Sequence, residues 1–156
     1  MKRRRLVAAL FASGAASLGG AWPAVAATAA RPLVQVWKSP TCGCCKDWVA
    51  HLEANGFEVK SIDSGNTDAR ARLGMPLALG ACHTALVGGY AIEGHVPARE
   101  IKRLLAERPQ AVGLAVPAMP LGSPGMDGPA YGNKSEPYDV LLVARDGRHS
   151  VWRSYP

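Results

Sequence analysis

The fold is decided by residues 33–52, which read LVQVWKSPTCGCCKDWVAHL. The apolar run Leu33–Trp37 predicts a buried strand, and apolar residues recur at helical spacing over Trp48–Leu52. Between these two elements lies Cys42-Gly43-Cys44-Cys45, a CxCC motif. The sequence therefore predicts a strand, a cysteine-rich turn and a helix in immediate succession.

The position of these cysteines favours thiolate chemistry. The first turn of a helix presents unpaired backbone N–H groups and the positive end of the helix dipole, and both stabilise a thiolate relative to a thiol. A thiol–disulfide pair needs one sulfur to attack and one to resolve, roles open to Cys42 and Cys45. Cys44 is a surplus sulfur in the spacer, and this surplus favours metal binding.

The first 26 residues have the pattern of an export signal. Basic residues Lys2–Arg5 precede an apolar stretch, Leu6–Trp22, and Ala24-Val25-Ala26 is a small-x-small cleavage site. The apolar stretch is short and interrupted by glycines, so we expect a removed signal peptide and no membrane anchor. The expected organisation is a signal peptide at 1–26 and a single domain at 27–156.

Removal of the signal also changes the charge balance. Residues 1–26 contain four of the 18 Lys and Arg residues and none of the 12 acidic ones, so the net charge falls from +6 to +2. No later cluster combines basic and aromatic residues, and we therefore expect no nucleic-acid partner. No later segment is apolar over a length that spans a membrane.

The rest of the chain completes the pattern of a thioredoxin-like α/β fold, a small mixed sheet flanked by helices. A strand is predicted at Phe57–Ile62 and a short helix at Asp68–Leu73. A hairpin is predicted from Thr84–Val87 and Tyr90–Ile92, and a further helix at Pro97–Leu105. A Pro/Gly/Met-containing loop follows at 116–137. A C-terminal β-hairpin is predicted from Tyr138–Ala144 and Ser150–Tyr155.

Two further segments offer ligands to the cysteine turn. Cys82-His83 precedes a predicted strand, where a thioredoxin-like chain places the loop that faces the CxxC turn. The proline-containing loop adds the thioethers of Met119 and Met126, for which packing against the core is an equal alternative. Thiolates and thioethers together select Cu(I), whereas a zinc site would use thiolate and imidazole and leave the methionines idle.

The other histidines have simpler interpretations. His95, in the sequence Glu93–Pro97, is predicted to satisfy a turn, with the orientation of a metal ligand as the alternative. His51 is expected on the solvated face of a helix, and His149 beside an exposed hairpin turn.

Several other uses of the cysteines are disfavoured. Covalent haem attachment needs CxxCH, and Lys46 occupies the position of that histidine. The adjacent pair Cys44-Cys45 differs from the spaced cysteines that hold iron–sulfur clusters. The same adjacency makes two separate structural disulfides unfavourable.

With these motifs, the chain resembles the exported, thioredoxin-like CxCC metal-binding family that includes the copper-resistance protein CopG. The resemblance covers the whole mature chain and rests on four motifs, at Ser39–Cys45, Cys82–Ala85, Glu93–Pro97 and Met119–Met126. It implies a thioredoxin-like fold in which the Cys82-His83 loop replaces the usual cis-proline and copper is held between cysteine sulfurs. It also implies a periplasmic location and roles in copper sequestration and Cu(I)/Cu(II) interconversion. Ala118 departs from the glycine expected before Met119.

The leading prediction is a periplasmic copper-binding protein of copper resistance or homeostasis, holding Cu(I) singly or in a cysteine-bridged multicopper cluster. The predicted metal ligands are Cys42, Cys44, Cys45, Cys82, His83, Met119 and Met126. Its partners would be copper ions and periplasmic copper chaperones or exporters. The alternatives are a thiol–disulfide oxidoreductase that uses Cys42 and Cys45, and a passive zinc-binding module. Whether the protein acts as a copper oxidoreductase enzyme stays open.

Overall fold

The computed structural model describes residues 30–156, so the predicted signal peptide at 1–26 lies outside the described residues. Seven strands, three α-helices and two short 3-10 turns follow one another. In chain order they are β1 (Leu33–Lys38), α1 (Gly43–Ala54), β2 (Glu58–Ile62), α2 (Thr67–Arg72), a 3-10 turn (Leu77–Leu79), β3 (His83–Val87), β4 (Tyr90–Glu93), α3 (Ala98–Glu107), β5 (Gly113–Ala115), a 3-10 turn (Pro129–Tyr131), β6 (Tyr138–Val143) and β7 (His149–Tyr155). Between residues 30 and 156, no helix has the length and apolar character needed to cross a membrane.

The strands form one mixed sheet in the order β2-β1-β3-β4-β5-β6-β7. Strand β1 pairs in parallel with β2 and antiparallel with β3, and β3 pairs antiparallel with β4. These four strands, with α1, α2 and α3 in the order of the chain, make the thioredoxin-like unit. The predicted fold class is confirmed, including the C-terminal hairpin, which continues the same sheet as β6 and β7.

Strand β5 was not predicted from the sequence. It has three residues, pairs in parallel with β4 and joins the hairpin to the thioredoxin-like unit. A Cβ atom at Gly113 would lie 1.7 Å from the Ala91 carbonyl oxygen, so glycine is required for this pairing. Three residues are too few to show the two-residue alternation by which a strand is recognised in a sequence.

The core lies where α1 and α3 share a cluster of buried residues with the sheet. Alternate residues of β1, Val34 and Val36, are fully buried and pack with Trp48 of α1 and Ile101 of α3. The indole N–H of Trp48 donates a hydrogen bond to the Val96 carbonyl at 2.9 Å. This bond ties the helix of the cysteine turn to the segment between β4 and α3.

Helix α3 is also bound to the C-terminal hairpin. The Glu100 carboxylate accepts hydrogen bonds from Trp152 Nε1 at 3.0 Å and from Tyr155 Oη at 2.9 Å. The Arg103 guanidinium lies 3.9 Å from the centroid of the Trp152 ring, a cation–π contact. These contacts explain why strands beyond the thioredoxin-like unit stay in register with it.

Candidate metal centre

The cysteine turn, residues 42–45, lies at the start of α1. Cys42 is the N-cap residue with extended backbone angles, and Cys44 and Cys45 are in the first helical turn. Among residues 30–156, no side chain caps this helix, and the first turn of the helix has no acidic residue. The sulfurs therefore lie near backbone N–H groups that are not occupied by a capping side chain, as the sequence predicted.

Four cysteine sulfurs converge in front of this turn. Cys42 and Cys45 are joined by a disulfide, while Cys44 and Cys82 are free thiols. Cys44 Sγ lies 3.5 Å from Cys42 Sγ and 3.8 Å from Cys82 Sγ. All four sulfurs lie within 4.8 Å of one another, a spacing suited to a shared metal, and we call this set the four-sulfur site. It is complete as a set of thiolates only when the disulfide is reduced.

The four sulfurs differ in their exposure to solvent. Cys45 is fully buried, and its Sγ lies 3.7 Å from the Cys82 carbonyl oxygen, so the turn and the facing loop are in contact. Cys42, Cys44 and Cys82 are partly exposed. An open cavity of about 430 Å³ lies beside Cys82 and is also lined by Arg70, Leu77 and Met119. This cavity gives solutes access to the sulfurs from one side.

A buried carboxylate fixes the loop that carries Cys82. Glu93 Oε1 accepts a hydrogen bond from the backbone N–H of Ala81 at 2.7 Å and forms an ion pair with Arg70 at 2.8 Å. Arg70 Nη2 in turn donates to the Ala81 carbonyl at 2.7 Å, and Asn66 donates to the same oxygen at 3.1 Å. The backbone N–H and the carbonyl of Ala81 are thus both hydrogen-bonded to side chains. These bonds fix the position of the next residue, Cys82.

The same carboxylate also accepts from the hydroxyl of Thr84 at 2.6 Å. Burial raises the pKa of Glu93, and the hydrogen bonds from Thr84, Ala81 and Arg70 oppose that shift. The network is a set of charge-assisted hydrogen bonds around a fully buried carboxylate.

Two buried histidines contact the Cys82 sulfur. His83 Nδ1 lies 3.3 Å and His95 Nε2 lies 3.1 Å from Cys82 Sγ. His95 Nδ1 is 2.8 Å from the Pro124 carbonyl oxygen, an acceptor only, so Nδ1 carries the proton and Nε2 presents a lone pair to the sulfur. The ring of His83 packs against Trp48 with 4.3 Å between ring centroids.

The protonation states of these groups follow from their burial. Burial lowers the pKa of His83 to about 3, and the neighbouring His95 adds to the shift. Burial also lowers the pKa of His95, so both imidazoles are neutral at pH 7 and retain a lone pair. Burial raises the pKa of the Cys82 thiol to about 12, with Cys44 adding to the shift. A cation that binds Cys82 therefore displaces a proton.

Of the two methionines, one lies at the sulfurs. Met119 is 47% exposed and its Sδ lies 4.0 Å from Cys44 Sγ. Met126 is only 9% exposed, and in the described part of the chain no cysteine sulfur has a hydrogen-bond contact with it. The structure therefore places the Met119 thioether beside Cys44 and buries Met126.

The methionine loop is held by close backbone contacts on both sides. A Cβ atom at Gly125 would lie 2.7 Å from the Cys44 carbonyl oxygen and 2.8 Å from the Trp48 backbone nitrogen, so the loop rests directly on α1. On the other side, the Ala118 N–H donates to the Gly80 carbonyl at 3.5 Å. Ala118 has a φ of 61°, a left-handed conformation, which explains why a glycine is expected there.

The structure brings together six of the seven residues predicted as ligands, namely Cys42, Cys44, Cys45, Cys82, His83 and Met119. It also places His95 at the centre, where the sequence favoured a turn. The sequence contains a feature that could have predicted this position of His95. The two-residue turn Gly88-Gly89 sets the pairing of Val87 with Tyr90. If the same antiparallel register is continued beyond the strands, position 82 lies opposite position 95.

His51 differs from the prediction as well. It is half-buried, and its Nε2 accepts a hydrogen bond from the backbone N–H of Ala98 at 3.1 Å. The helix face that the sequence indicated as solvated is covered at this point by the start of α3, because α1 and α3 pack in one core.

A thioredoxin-like sheet with a CxCC helix start, a facing Cys-His loop and a converging set of sulfurs defines a class of cysteine-rich metal-binding α/β proteins. Two solved structures, both of copper resistance protein copG, resemble this chain. Form 2 is 44% identical over 81% of this chain and 99% of that one, with a TM-score of 0.74. Form 1 is 46% identical over 80% and 97%, with a TM-score of 0.73. The chain belongs to the CopG family.

Sequence comparisons add one family. Residues 79–126, which include the Cys82-His83 loop and both methionines, match a family described as "Protein of unknown function, DUF411". No curated protein matches the chain.

Proposed function

We propose that this protein binds copper in the periplasm, as an exported protein of copper resistance and homeostasis with its mature domain at 27–156. The observation that supports this most directly is the convergence of four cysteine sulfurs within 4.8 Å, joined by the thioether of Met119. Its relatives are copper resistance proteins. Thiolates and thioethers are the donors that favour Cu(I) over hard cations.

The same arrangement supports more than one bound ion. A thiolate sulfur can bridge two metals, and four sulfurs at this spacing offer several bridging pairs. We propose that Cys42, Cys44, Cys45 and Cys82 hold Cu(I), as a single ion or a cysteine-bridged cluster, with His83 completing the site and Met119 capping its open side. Met126 is assigned to packing, because its side chain is buried.

The open side indicates where copper would be exchanged. Cys44, Cys82 and Met119 are all partly exposed, and the cavity beside Cys82 admits solutes. A periplasmic copper chaperone or exporter would therefore meet the centre at this face. We also propose that the same centre interconverts Cu(I) and Cu(II).

The test is Cu(I) titration of the fully reduced protein in competition with a Cu(I) chelator, with free thiols counted on the same samples. We expect copper to protect the thiols, and Cys44→Ser to lower copper retention sharply. Lys46→Ala, an exposed change in the same helical turn, is the control and should leave retention unchanged. Equal retention by Cys44→Ser and the wild type would refute the four-sulfur site.

A second candidate function, thiol–disulfide exchange, is favoured by the Cys42–Cys45 disulfide at a helix start. Here the partly exposed Cys42 would be the nucleophile and the buried Cys45 the resolving thiol. This activity would survive Cys44→Ser, so reductase assays on that variant separate the two functions. A passive zinc module is the third reading, and stronger retention of Zn(II) than of Cu(I) in the same competition would favour it.

A further inference from the structure

We propose that the open cavity beside Cys82 binds a low-molecular-weight thiol that carries a carboxylate, and that Arg70 holds the carboxylate. Such a compound would carry Cu(I) to and from the centre as its thiolate complex. This carrier role deepens the proposed function and rests on it. Binding of the compound to the cavity needs no copper and is tested without it.

The cavity has the volume and composition of a small-molecule site. Its volume is about 430 Å³, and ligand pockets usually measure about 300–1,000 Å³. Leu77, Ala118 and Met119 form apolar walls, and Cys82 contributes a sulfur. Among the described residues that line the cavity, Arg70 is the one that carries a charge. A single well-placed polar group among apolar walls is the usual way in which a pocket fixes the orientation of a ligand.

The guanidinium of Arg70 has N–H groups that the protein does not use. Nε donates to Glu93 Oε1 at 2.9 Å and Nη2 donates to the Ala81 carbonyl at 2.7 Å, while Nη1 makes no hydrogen bond to residues 30–156. Within that range, His83 Nε2 is the single fully enclosed side-chain nitrogen or oxygen without a partner, so solvent reaches Arg70 Nη1. Two of the five N–H groups of the guanidinium therefore remain for a ligand.

A glycine beside the guanidinium keeps this edge open. A Cβ atom at Gly80 would lie 3.1 Å from both Cζ and Nη1 of Arg70, and 3.0 Å from the Leu77 carbonyl oxygen. The backbone angles of Gly80 are φ −61° and ψ 142°, which any residue adopts, so the conformation does not require a glycine. Gly80 also lines the cavity. The missing side chain thus leaves room for Nη1 at the cavity wall.

Arg70 is held in place before any ligand binds. Its side chain is 11% exposed and forms an ion pair with the fully buried Glu93 at 2.8 Å. Because Glu93 balances the charge of Arg70, a carboxylate would be bound mainly by the directed N–H groups of Nη1, as charge-assisted hydrogen bonds. We therefore expect a dissociation constant that is roughly millimolar.

The same cavity presents soft donors, which is why the ligand is assigned as a thiol. Cys82 and Met119 both line the cavity, and each has its sulfur within 4.0 Å of Cys44 Sγ. In the transfer step, a Cu(I)–S bond to the carrier breaks as a Cu(I)–S bond to Cys82 forms. The released carrier thiolate takes up the proton that leaves Cys82, and no electron is transferred.

The first experiment is an NMR titration of the reduced, metal-free protein with 3-mercaptopropionate. We expect saturable shifts of the backbone amide signals of Gly80 and Ala81 and of the side-chain Nε–H of Arg70. The comparison compound is 2-mercaptoethanol, which has the thiol without the carboxylate and should cause no saturable shift.

Variants of Leu77 test the site without touching the ion pair of Arg70. Leu77 lines the cavity and is 78% exposed, so its replacement should not affect folding. One added negative charge in Leu77→Glu should weaken binding by about threefold, and Leu77→Lys should strengthen it by a similar factor. Leu77→Gln controls for shape and should bind as the wild type does. Val151→Glu places the same charge at an exposed apolar residue of β7 and should change nothing.

The second experiment measures Cu(I) uptake by the reduced protein from complexes with 3-mercaptopropionate and with 2-mercaptoethanol. Uptake from the carboxylate complex should saturate with its concentration and be about threefold slower in Leu77→Glu below saturation. Uptake from the neutral complex should show neither effect. Equal behaviour of the two complexes would overturn the carrier role.

The cavity site itself would be overturned by any of three results in the NMR titration. These are no saturable shifts at Gly80 and Ala81, equal shifts with 2-mercaptoethanol, or equal affinities of Leu77→Glu and Val151→Glu. Failure of the proposed function is a different result. It would appear as no Cu(I) uptake from either complex, which would also overturn the carrier role, while the metal-free titration would still decide whether the cavity binds the thiol carboxylate.

Discussion

His51 Nε2 accepts a hydrogen bond from the backbone N–H of Ala98 across 3.1 Å. Ala98 is the first residue of α3, and the preceding N-cap residue, Pro97, has no side-chain acceptor that could cap the helix. His51 lies in the last turns of α1, so one neutral imidazole satisfies an otherwise unpaired N–H and joins the two helices that cover the core. A protonated His51 would lose the acceptor and place a positive charge at the positive end of the α3 dipole.

This contact predicts a pH dependence of stability. Burial lowers the pKa of His51, and Asp127 opposes the shift only in part. As the pH falls below the ordinary histidine value of about 6.5, the unfolded state binds more protons than the folded state, and stability is lost progressively. In His51→Gln the amide oxygen keeps an acceptor that does not titrate. We expect the unfolding free energy of this variant to increase relative to that of the wild type as the pH is lowered.

The measurement is urea unfolding of both proteins at several pH values from about 7.5 to about 5.5, without metal. His83 and His95 titrate alike in both proteins, so the difference isolates His51. His149→Gln is the control, because that histidine is exposed. A difference between His51→Gln and the wild type that stays constant with pH would contradict the prediction.

Arg70→Ala should strongly destabilise the protein. The side chain of Glu93 is fully buried and that of Arg70 is 11% exposed, so removal of the arginine leaves a buried carboxylate without its ion-pair partner. Such a change costs about 3–5 kcal/mol. Urea unfolding measures it, with Arg72→Ala, an exposed change in the same helix, as the control.

Replacing both members of the pair tests the cause. Arg70→Met combined with Glu93→Leu removes the charges together, and we expect it to recover much of the stability lost in Arg70→Ala. The same double variant should still perturb the copper centre, because the Ala81 backbone loses both of its side-chain partners from this pair. Equal stability of Arg70→Ala and Arg72→Ala would rule out the paired-charge explanation.

The two methionines should behave differently. Met119→Leu removes a thioether 4.0 Å from Cys44 Sγ, and we expect Cu(I) retention to weaken by about tenfold, or about 1.4 kcal/mol. Met126→Leu conserves the volume of a buried side chain, so it should cost less than about 1.5 kcal/mol of stability and leave Cu(I) retention unchanged. Chelator competition on the reduced proteins compares them directly. Similar losses in both variants would return Met126 to the metal centre.

Ala118→Gly should stabilise the protein. The left-handed conformation at φ 61° costs an alanine about 1–2 kcal/mol, and glycine avoids this cost. The greater freedom of glycine in the unfolded chain offsets about 0.4–1 kcal/mol, which leaves a net gain of roughly 0.5–1 kcal/mol. The matched control is Ala106→Gly in the exposed part of α3, where the same replacement should cost about 1 kcal/mol. Changes of the same sign in thermal or urea unfolding would contradict the prediction.

The sequence by itself determined the local structure and the donor chemistry. Alternation in β1, helical spacing in α1 and the diglycine turn between β3 and β4 are patterns over a few residues, and each is set by the periodicity of its own element. The CxCC motif fixed the sulfurs to a helix start, because its residues are neighbours in the chain. The order of these elements was enough to predict the thioredoxin-like sheet.

Tertiary structure alone decided which distant donors meet. Cys44 and Cys82 are 38 residues apart in sequence, and Cys44 and Met119 are 75 apart, so their contacts depend on strand pairing and on how one loop rests against α1. Packing places the Met119 thioether beside Cys44 and buries the Met126 side chain, although the two residues belong to the same loop. It also turned His95 toward Cys82 through the Pro124 carbonyl. No local pattern encodes the choice between Met119 and Met126, because it depends on the shape of the space between packed elements.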